Sequence, residues 1–447
     1  MADQILVRRK SQICNGLQEG VYMNERKEFL GFNRSMLLQC ILLYAGIWGG
    51  LLVSGYVFLA LAGCVALFTV LAKPDYTYYS LLFLLPFSVI FKLSPESTSL
   101  FTYLMILAGV VLLLRKKTFR AAPLLLTMMF LLYALIGMGG NYTTVAKMIS
   151  GILLFYVFVE TVAPANFKNH VMAFALGLLG SSAIGTMKVS WPRLTAYFDD
   201  IDYVFVDGIS TARFSGLNYD PNYYSIAVIL AVFLCLRLFF NKDGNKLLTG
   251  LVTIALIVFG FTSYSKMFLL SILVLAVIFV LYRMKTPKQL MTTLIFTCII
   301  AVVFYRWADS SGYLSTIMER LSDNDISTGR FDIWKTYIEY IWSSPKTLFL
   351  GDGLGAPYCI TQEPHNAYIE LIFFLGIFGG ALFIITIANI IGLSKHLERR
   401  TFINYALLLL FFIMIATLGI VTVNDLMFYC MLLWISMNMS RNTTRQS

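Results

Sequence analysis

Long apolar runs alternate with short polar segments along most of the chain. Fourteen of these runs are of about the length that crosses a bilayer as a helix. They lie at 36–53, 55–72, 78–93, 100–114, 121–138, 143–163, 171–190, 222–240, 247–263, 264–282, 289–305, 365–393, 402–422 and 424–440. The pattern predicts an all-α polytopic membrane protein with about fourteen (twelve to fourteen) transmembrane helices.

Basic residues mark every second connection between these runs. With the N-terminus inside, the segments "RKKTFR" (115–120) and "RMKTPK" (283–288) face the cytoplasm, whereas the outer loop "GGNYTT" (139–144) has no basic residue. Lys and Arg concentrate in the cytoplasmic loops of membrane proteins. The charge pattern therefore predicts that both termini are cytoplasmic, and removing one helix from the count would put one of the basic segments outside.

This topology divides the chain into five parts. They are an N-terminal cytoplasmic tail at 1–35, a transmembrane bundle at 36–440 that includes a first extracytoplasmic loop at 191–221 and a large extracytoplasmic loop at 306–364, and a cytoplasmic tail at 441–447. The tail at 1–35 lacks a cleavable signal pattern, so the first membrane helix is expected to direct insertion. Long loops in a compact architecture often carry function, and both long loops fall outside.

Composition agrees with a membrane protein and excludes other classes. The 447 residues are 58% hydrophobic and 13% charged, against about 25% charged in soluble domains. The net charge of +10 does not indicate nucleic-acid binding, because basic cytoplasmic loops account for it. The seven cysteines have the spacing of neither a metal site nor a disulfide framework, so no metal or other cofactor is predicted.

One segment of the large loop has helical periodicity. The stretch "STGRFDIWKTYIEYIWSSP" (327–345) predicts an amphipathic helix lying on the bundle or on the lipid surface, with Ser327 or Thr328 as its cap and Pro345 at its end. Its apolar positions are Phe331, Trp334, Ile338, Ile341 and Trp342.

Three outer elements carry residues suited to phosphate and sugar chemistry. Arg213 precedes a turn in the first loop, Arg330 begins the amphipathic helix, and His365 and Asn366 follow the glycine-rich "GDGLG" (351–355). Guanidinium groups bind phosphate bidentately, and histidine exchanges protons near neutral pH. Each element alone fits a solvated arginine, a capped helix or a simple turn. Their shared outer side favours a site for a lipid-linked sugar phosphate.

The order of these elements resembles the O-antigen ligase and Wzy-type polysaccharide polymerase superfamily over residues 210–380. The motif residues are Gly353, Gly355, His365, Asn366, Tyr368, Gly376 and Gly379 at the end of the large loop, Gly329, Arg330 and Trp334 before them, and Arg213, Gly216, Pro221 and Asn222 in the first loop. The chain departs from the family at Ser265-Lys266, where a Ser-Arg pair is usual. Lys266 keeps the charge but lacks the bidentate fork, and an ordinary interfacial lysine is the alternative.

The resemblance implies a GT-C-like, metal-independent glycosyltransferase in the bacterial cytoplasmic (inner) membrane, with its active site outside. The donor would be a glycan on undecaprenyl diphosphate. Arg213 and Arg330 would hold the diphosphate, and His365 would act as general base on the acceptor hydroxyl or orient it. Asn366 would orient a hydroxyl or cap the helix. Further substrate contacts are assigned to Asn222, Lys266 and Tyr368.

Two acceptors are open within this family. A polymerase extends another lipid-linked repeat unit, and a ligase transfers the glycan to a lipid A core or another surface acceptor. Polymerase is favoured because fourteen predicted spans exceed the number typical of the family's ligases. The expected partners are the lipid-linked donor and acceptor, membrane lipids, a chain-length regulator and a flippase, with no nucleic acid.

Two other classes remain as alternatives. A lipid-linked oligosaccharide flippase or other transporter would use ionisable residues near the membrane midplane. The sequence has such residues in or near its spans, but they form no evident paired relay. They are Lys147, Glu160, Lys188 and Glu370. A structural or sensory membrane protein is the second alternative.

Overall fold

The computed structural model describes most of the chain from residue 28 to residue 439. The described ranges are 28–116, 118–137, 142–198, 203–206, 209–241, 244–283, 312–322, 329–393 and 423–439, with isolated positions between 291 and 310. Two predicted tails lie outside the described residues: 441–447, and 1–35 except for residues 28–35. The predicted span 402–422 also lies outside them, as does the predicted span 289–305 except for isolated positions.

The first half of the described chain consists mainly of apolar helices. These are α1 (Arg34–Leu52), α2 (Gly55–Leu71), α3 (Pro74–Leu84), α4 (Leu100–Arg115), α5 (Ala121–Ile136), α6 (Tyr142–Thr161), α7 (Phe167–Gly185), the one-turn α8 (Pro192–Thr195) and α9 (Pro221–Asn241). A short 3₁₀ turn at Leu85–Phe87 follows α3, and another at Pro164–Asn166 precedes α7.

The second half contains the remaining apolar helices and the helices of the large loop. These are α10 (Lys246–Phe261), α11 (Lys266–Arg283), α12 (Tyr313–Ser322), α13 (Arg330–Ser343), α14 (Pro345–Leu350), α15 (Ala367–Ile391) and α16 (Val423–Met439). Two antiparallel hairpins also occur, β1 (Glu28–Phe29) with β2 (Phe32–Asn33) and β3 (Tyr203–Val206) with β4 (Ile209–Ala212).

The predicted helical class is confirmed, and most predicted spans correspond to one helix each. The exception among the described spans is 78–93, where the helix α3 begins earlier and ends at Leu84. Pro86 follows within a 3₁₀ turn, since proline cannot continue the hydrogen-bond ladder of an α-helix. The short hairpin β3–β4 lies in the first predicted outer loop, for which no helix was predicted.

Helices long and apolar enough to cross a membrane occur at three places in the described part of the chain, α1, α9 and α15. The helices at Val145–Thr161 and Pro164–Gly185 meet at an angle of 106° and pass the same test together. Several other helices are apolar but shorter. The number of fourteen spans and the cytoplasmic placement of the termini therefore stay predictions.

The core forms around α3, α7 and α9. The helix α7 packs against α3 and α9, and α9 packs against α10. Polar contacts inside this core join specific helices: the hydroxyls of Tyr224 and Ser182 are 2.7 Å apart, and Arg237 donates to the Ser436 hydroxyl at 2.6 Å. Buried polar groups need such partners, because an unmet hydrogen bond in an apolar interior costs about 1–3 kcal/mol.

A cluster of charges joins the ends of α4, α5 and α6. Glu160 forms ion pairs with Lys116, at 3.1 Å, and with Arg120. Arg120 also donates to the carbonyl of Ile390, near the C-terminal end of α15. Because Glu160 is paired with residues from two neighbouring helices, its contacts fit a role in joining helix ends.

Candidate active site

A break in α15 shapes the approach to the candidate site. Gly376 interrupts the helix with φ 63° and ψ −178°, a conformation open to glycine and strained for other residues. A Cβ atom there would lie 2.4 Å from the carbonyl carbon of Phe349. Because Gly376 has no side chain, the end of α14 can approach α15 at this position more closely than any other residue would allow.

The glycine-rich turn after α14 uses carbonyl groups of α15 just before this break. The amides of Asp352 and Gly353 donate to the carbonyl oxygens of Phe373 and Phe374, both at 2.9 Å. The Tyr133 hydroxyl of α5 donates to the Leu375 carbonyl at 2.8 Å. The segment "GDGLG", predicted as a turn, is thus a turn docked on the broken helix.

The carboxylate of Asp352 connects this turn to the two preceding helices. It accepts hydrogen bonds from the Tyr340 hydroxyl of α13 at 2.8 Å and from the Thr347 hydroxyl of α14 at 2.9 Å. The hydrogen bond to Asp352, more than burial, raises the pKa of Tyr340. The loop helices and the turn therefore form one hydrogen-bonded unit.

The structure distinguishes the two neighbouring residues His365 and Asn366, because only Asn366 caps the helix α15. The Asn366 side chain accepts from the amides of Tyr368 (3.0 Å) and Ile369 (3.3 Å), so Asn366 is the N-cap of α15. His365 precedes the cap with φ 46°, an uncommon left-handed conformation for a residue other than glycine. The capping alternative thus applies to Asn366.

The helix α13 fixes the segment that leads to His365. The Trp334 indole donates to the Pro364 carbonyl at 2.7 Å, and the Tyr337 hydroxyl donates to the Gln362 carbonyl at 2.9 Å. These two bonds hold α13, which begins at Arg330, against the segment 362–364. The contribution of Tyr337 was missed from the sequence.

The amphipathic helix differs from its prediction in two details. Gly329 with φ 78° is its N-cap position, in place of Ser327 or Thr328, and its last residue is Ser343. Pro345 begins α14 instead, where proline suits the first helical turn. The buried side of α13 includes Tyr337 and Ile341. Three of the predicted apolar positions are instead exposed, namely Phe331, Ile338 and Trp342.

Electrostatics joins His365 to Arg330 and to the first loop. Burial is the main cause that lowers the pKa of His365 below its usual value, and the positive charge of Arg330 lowers this pKa further. The negative charge of Asp220 raises it. Burial, and next the charge of Asp220, raise the pKa of Glu363. A histidine with a lowered pKa is neutral at physiological pH and keeps a lone pair that can accept a proton.

The first loop is docked on the turn between α10 and α11. The Arg213 Nε atom donates to the Ser263 carbonyl at 3.3 Å, and the Phe214 amide donates to the Thr262 carbonyl at 3.2 Å. Two residues after Ser263 in the same turn, the Ser265 hydroxyl donates to the Asn222 side chain at 2.8 Å. Three predicted elements therefore meet here: Arg213, Asn222 and the Ser265-Lys266 pair, with Lys266 as the first residue of α11.

The predicted site residues thus fall into two groups with Asp220 between them. One group contains Arg330, His365, Asn366 and Tyr368, and the other contains Arg213, Asn222 and Lys266. Asp220 accepts a hydrogen bond from the Asn222 amide in the second group and acts electrostatically on His365 in the first. Asp220 and Glu363 were missed from the sequence, although an Asp directly before Pro221 is a recognisable helix-start pattern.

No group of three or more His, Cys, Asp or Glu side chains suited to a metal ion occurs among the residues described. The ionisable residues of this region include Arg213, Lys266, Arg330 and His365, together with the carboxylates of Asp220 and Glu363. Such a set can bind an anionic group and move one proton.

The fold, with its several long apolar helices, is compatible with a polytopic membrane protein, and the predicted site residues lie at helix starts and in the loops between helices. Residues 251–384 match the family model Wzy_C, described as O-antigen ligase. This match confirms, for residues 251–384, the predicted resemblance to the O-antigen ligase and Wzy-type superfamily. The match covers less than a third of the chain and includes Lys266, Arg330 and His365 but not Arg213. No curated protein and no solved structure matches the chain.

Proposed function

We propose that this protein is a membrane glycosyltransferase that polymerises undecaprenyl-diphosphate-linked repeat units at the outer face of the bacterial cytoplasmic membrane. The observation that carries the proposal is the position of His365 within the family-matched region: it is partly buried directly before the cap of α15, and burial together with the positive charge of Arg330 lowers its pKa. A proton acceptor under the electrostatic influence of a guanidinium suits the transfer of a glycosyl group from a diphosphate carrier to a hydroxyl.

The reaction has one bond-forming and one bond-breaking event. The acceptor hydroxyl oxygen attacks the anomeric carbon of the donor, and the bond between that carbon and the diphosphate oxygen breaks. The neutral imidazole of His365 takes the hydroxyl proton. The lipid diphosphate leaves with the bonding electron pair, and Arg330 and Arg213 stabilise its negative charge.

Other residues of the site have supporting roles in this proposal. Asn366 uses its side-chain oxygen as the helix cap, which leaves its amide hydrogens for a substrate hydroxyl. Asn222 is held by Ser265, so its role is to fix the first loop as well as to contact substrate. Tyr368, partly exposed in the first turn of α15, offers its ring and hydroxyl to a sugar, and Lys266 offers a positive charge.

The ligase alternative is favoured by the description of the matched family itself, which is O-antigen ligase. The same site serves both activities, because only the acceptor differs. Incubation of the purified protein with lipid-linked repeat units separates them: a ladder of products identifies a polymerase, and a single transfer to an added lipid A core identifies a ligase. The absence of any new glycosidic bond would refute both.

Contacts of the ionisable residues near the spans argue against the transporter alternative. Glu160 is paired with Lys116 and Arg120, and the Tyr358 hydroxyl donates to the buried Glu370 at 2.7 Å. These contacts suit structural roles better than a relay that loads and releases ions. The transporter reading predicts movement of the lipid-linked glycan across vesicle membranes without a new bond.

A metal-independent reaction completes the proposal, as the family resemblance implies. Transfer should continue in a strong chelator. A loss of transfer in EDTA that a divalent ion restores would contradict this part of the mechanism.

A further inference from the structure

A buried lysine lies at the base of the first outer loop. Lys188 follows the end of α7 and is 5% exposed. Its ammonium group donates to the Ser215 hydroxyl at 2.8 Å and to the Asn218 carbonyl at 2.9 Å. It also lies 3.8 Å from the ring centre of Phe198, within the range of a cation–π contact.

These contacts connect the segment that precedes the hairpin β3–β4 with the segment that follows it. Phe198 lies before the hairpin β3–β4, whereas Ser215 and Asn218 lie after it. The backbone of Lys188 is itself fixed, because the Thr195 hydroxyl donates to its carbonyl at 2.7 Å. The lysine therefore closes the base of the loop from which the hairpin extends.

The ammonium is committed to the protein. Two of its three hydrogens are engaged by oxygen atoms at short distance, and the aromatic ring covers the charge. Removing an ammonium from water is costly unless such partners replace the lost hydration. A direct contact with a substrate phosphate would require these bonds to break, so the geometry favours an indirect role.

The segment held by Lys188 contains Arg213 at its beginning. On one side of the segment, Lys188 binds Ser215 and Asn218. On the other side, Arg213 and Phe214 bond to the carbonyls of the α10–α11 turn. Gly185 at the end of α7 is also so close to Gly216 that a Cβ atom on it would lie 2.6 Å from the Gly216 Cα.

We propose that Lys188 is a positioning residue that holds the segment 213–218 against the end of α7 and so fixes the guanidinium of Arg213. The proposal rests on the proposed function in one respect, the role of Arg213 in binding the donor diphosphate. Its structural part, the fixing of the segment, stands on the contacts of Lys188 alone.

Hydrogen–deuterium exchange tests the structural part on the full-length protein in detergent or nanodiscs. The Lys188→Met variant keeps the length of the side chain and removes its donors. Exchange in a peptide covering 212–222 should rise, because the Phe214 amide donates to the Thr262 carbonyl outside the segment and is bonded only while the segment is docked. Unchanged exchange in this peptide would overturn the proposal.

Transfer kinetics test the link to Arg213. With Lys188→Met, the KM for the lipid-linked donor should rise by roughly tenfold to a hundredfold, because small displacements of a binding group are costly. Lys188→Arg, which keeps charge and donors, should recover part of the loss. Raised exchange combined with an unchanged donor KM would overturn the positioning role.

A double-mutant cycle separates positioning from general destabilisation. Arg213→Lys keeps a charge but loses the fork, and the effect of Lys188→Met on donor KM should be smaller in that background. Equal effects in both backgrounds would show that Lys188 does not act through Arg213.

Lys116→Met is the matched control. Lys116 is also a partly buried lysine that binds protein oxygens, but its partner Glu160 belongs to the cluster near the C-terminal end of α15. That end is roughly 35 Å from His365 along a helix of this length. The control should leave exchange at 212–222 and the donor KM unchanged. If the wild type transfers no glycan, the proposed function fails, and the exchange experiment still decides whether Lys188 fixes the segment.

Discussion

Replacing Gly376 by alanine tests the packing that supports the candidate site. Alanine at φ 63° and ψ −178° carries a backbone strain of about 1–3 kcal/mol. Its Cβ would also lie 2.4 Å from both the carbonyl carbon and the oxygen of Phe349, which are backbone atoms of α14. Relieving such a clash typically costs another 1–3 kcal/mol, roughly.

The combined cost of about 2–6 kcal/mol is large against a typical folding stability of about 5–15 kcal/mol. The clash should separate α14 from α15, and with it the bonds from Asp352 and Gly353 to the broken helix. We therefore expect Gly376→Ala to lower the midpoint of thermal unfolding by several degrees and to reduce glycan transfer.

The assay is thermal unfolding of the purified protein in one detergent, followed by tryptophan fluorescence. Gly63→Ala is the control, because a Cβ on Gly63 in the middle of α2 meets no atom within 4 Å. Alanine there should be neutral or stabilise the helix by about 0.5–1 kcal/mol. Equal midpoints for Gly376→Ala and Gly63→Ala would show that a side chain at position 376 does not disturb the packing of α14 on α15.

Three further predictions follow from single contacts. Asp220→Asn removes the charge that raises the pKa of His365. In the proposed mechanism only neutral His365 accepts the proton, so the acidic limb of kcat/KM should move to lower pH, and a shift to higher pH would contradict this. Tyr133→Phe removes the donor to the Leu375 carbonyl and should cost about 1–3 kcal/mol in thermal unfolding; an unchanged midpoint counts against the contact. Trp334→Phe removes the donor to the turn before His365 and should lower kcat while expression is retained; wild-type kcat would exclude its positioning role.

The hydrophobic pattern predicted the helices well, because spans of this length need continuous apolar sequence whatever they pack against. The bounds of α1, α9 and α15 differ from the predicted segments by only a few residues. The failure at 78–93 has a local cause: Pro86 ends regular helix inside an apolar run, and hydropathy does not register it.

The candidate residues Arg213, Arg330 and His365 were selected from sequence motifs, and their roles stay predictions. Asp220 was not recognised, because its influence on His365 depends on two loops more than a hundred residues apart meeting in space. Lys188 was read as a residue near a span, and nothing in its sequence neighbourhood indicates that it bonds to Ser215 across a hairpin. The role of Gly376 also required the backbone, since a glycine in an apolar run does not by itself indicate a break.

The most direct test of the central claim is the rate of glycan transfer by His365→Ala, measured with and without added imidazole. A general base typically contributes about 10²–10⁴-fold to a rate. The account predicts a loss of that order in folded, membrane-inserted protein, with part of the rate restored by imidazole, which supplies the missing proton acceptor. Full activity of His365→Ala without imidazole would contradict the account.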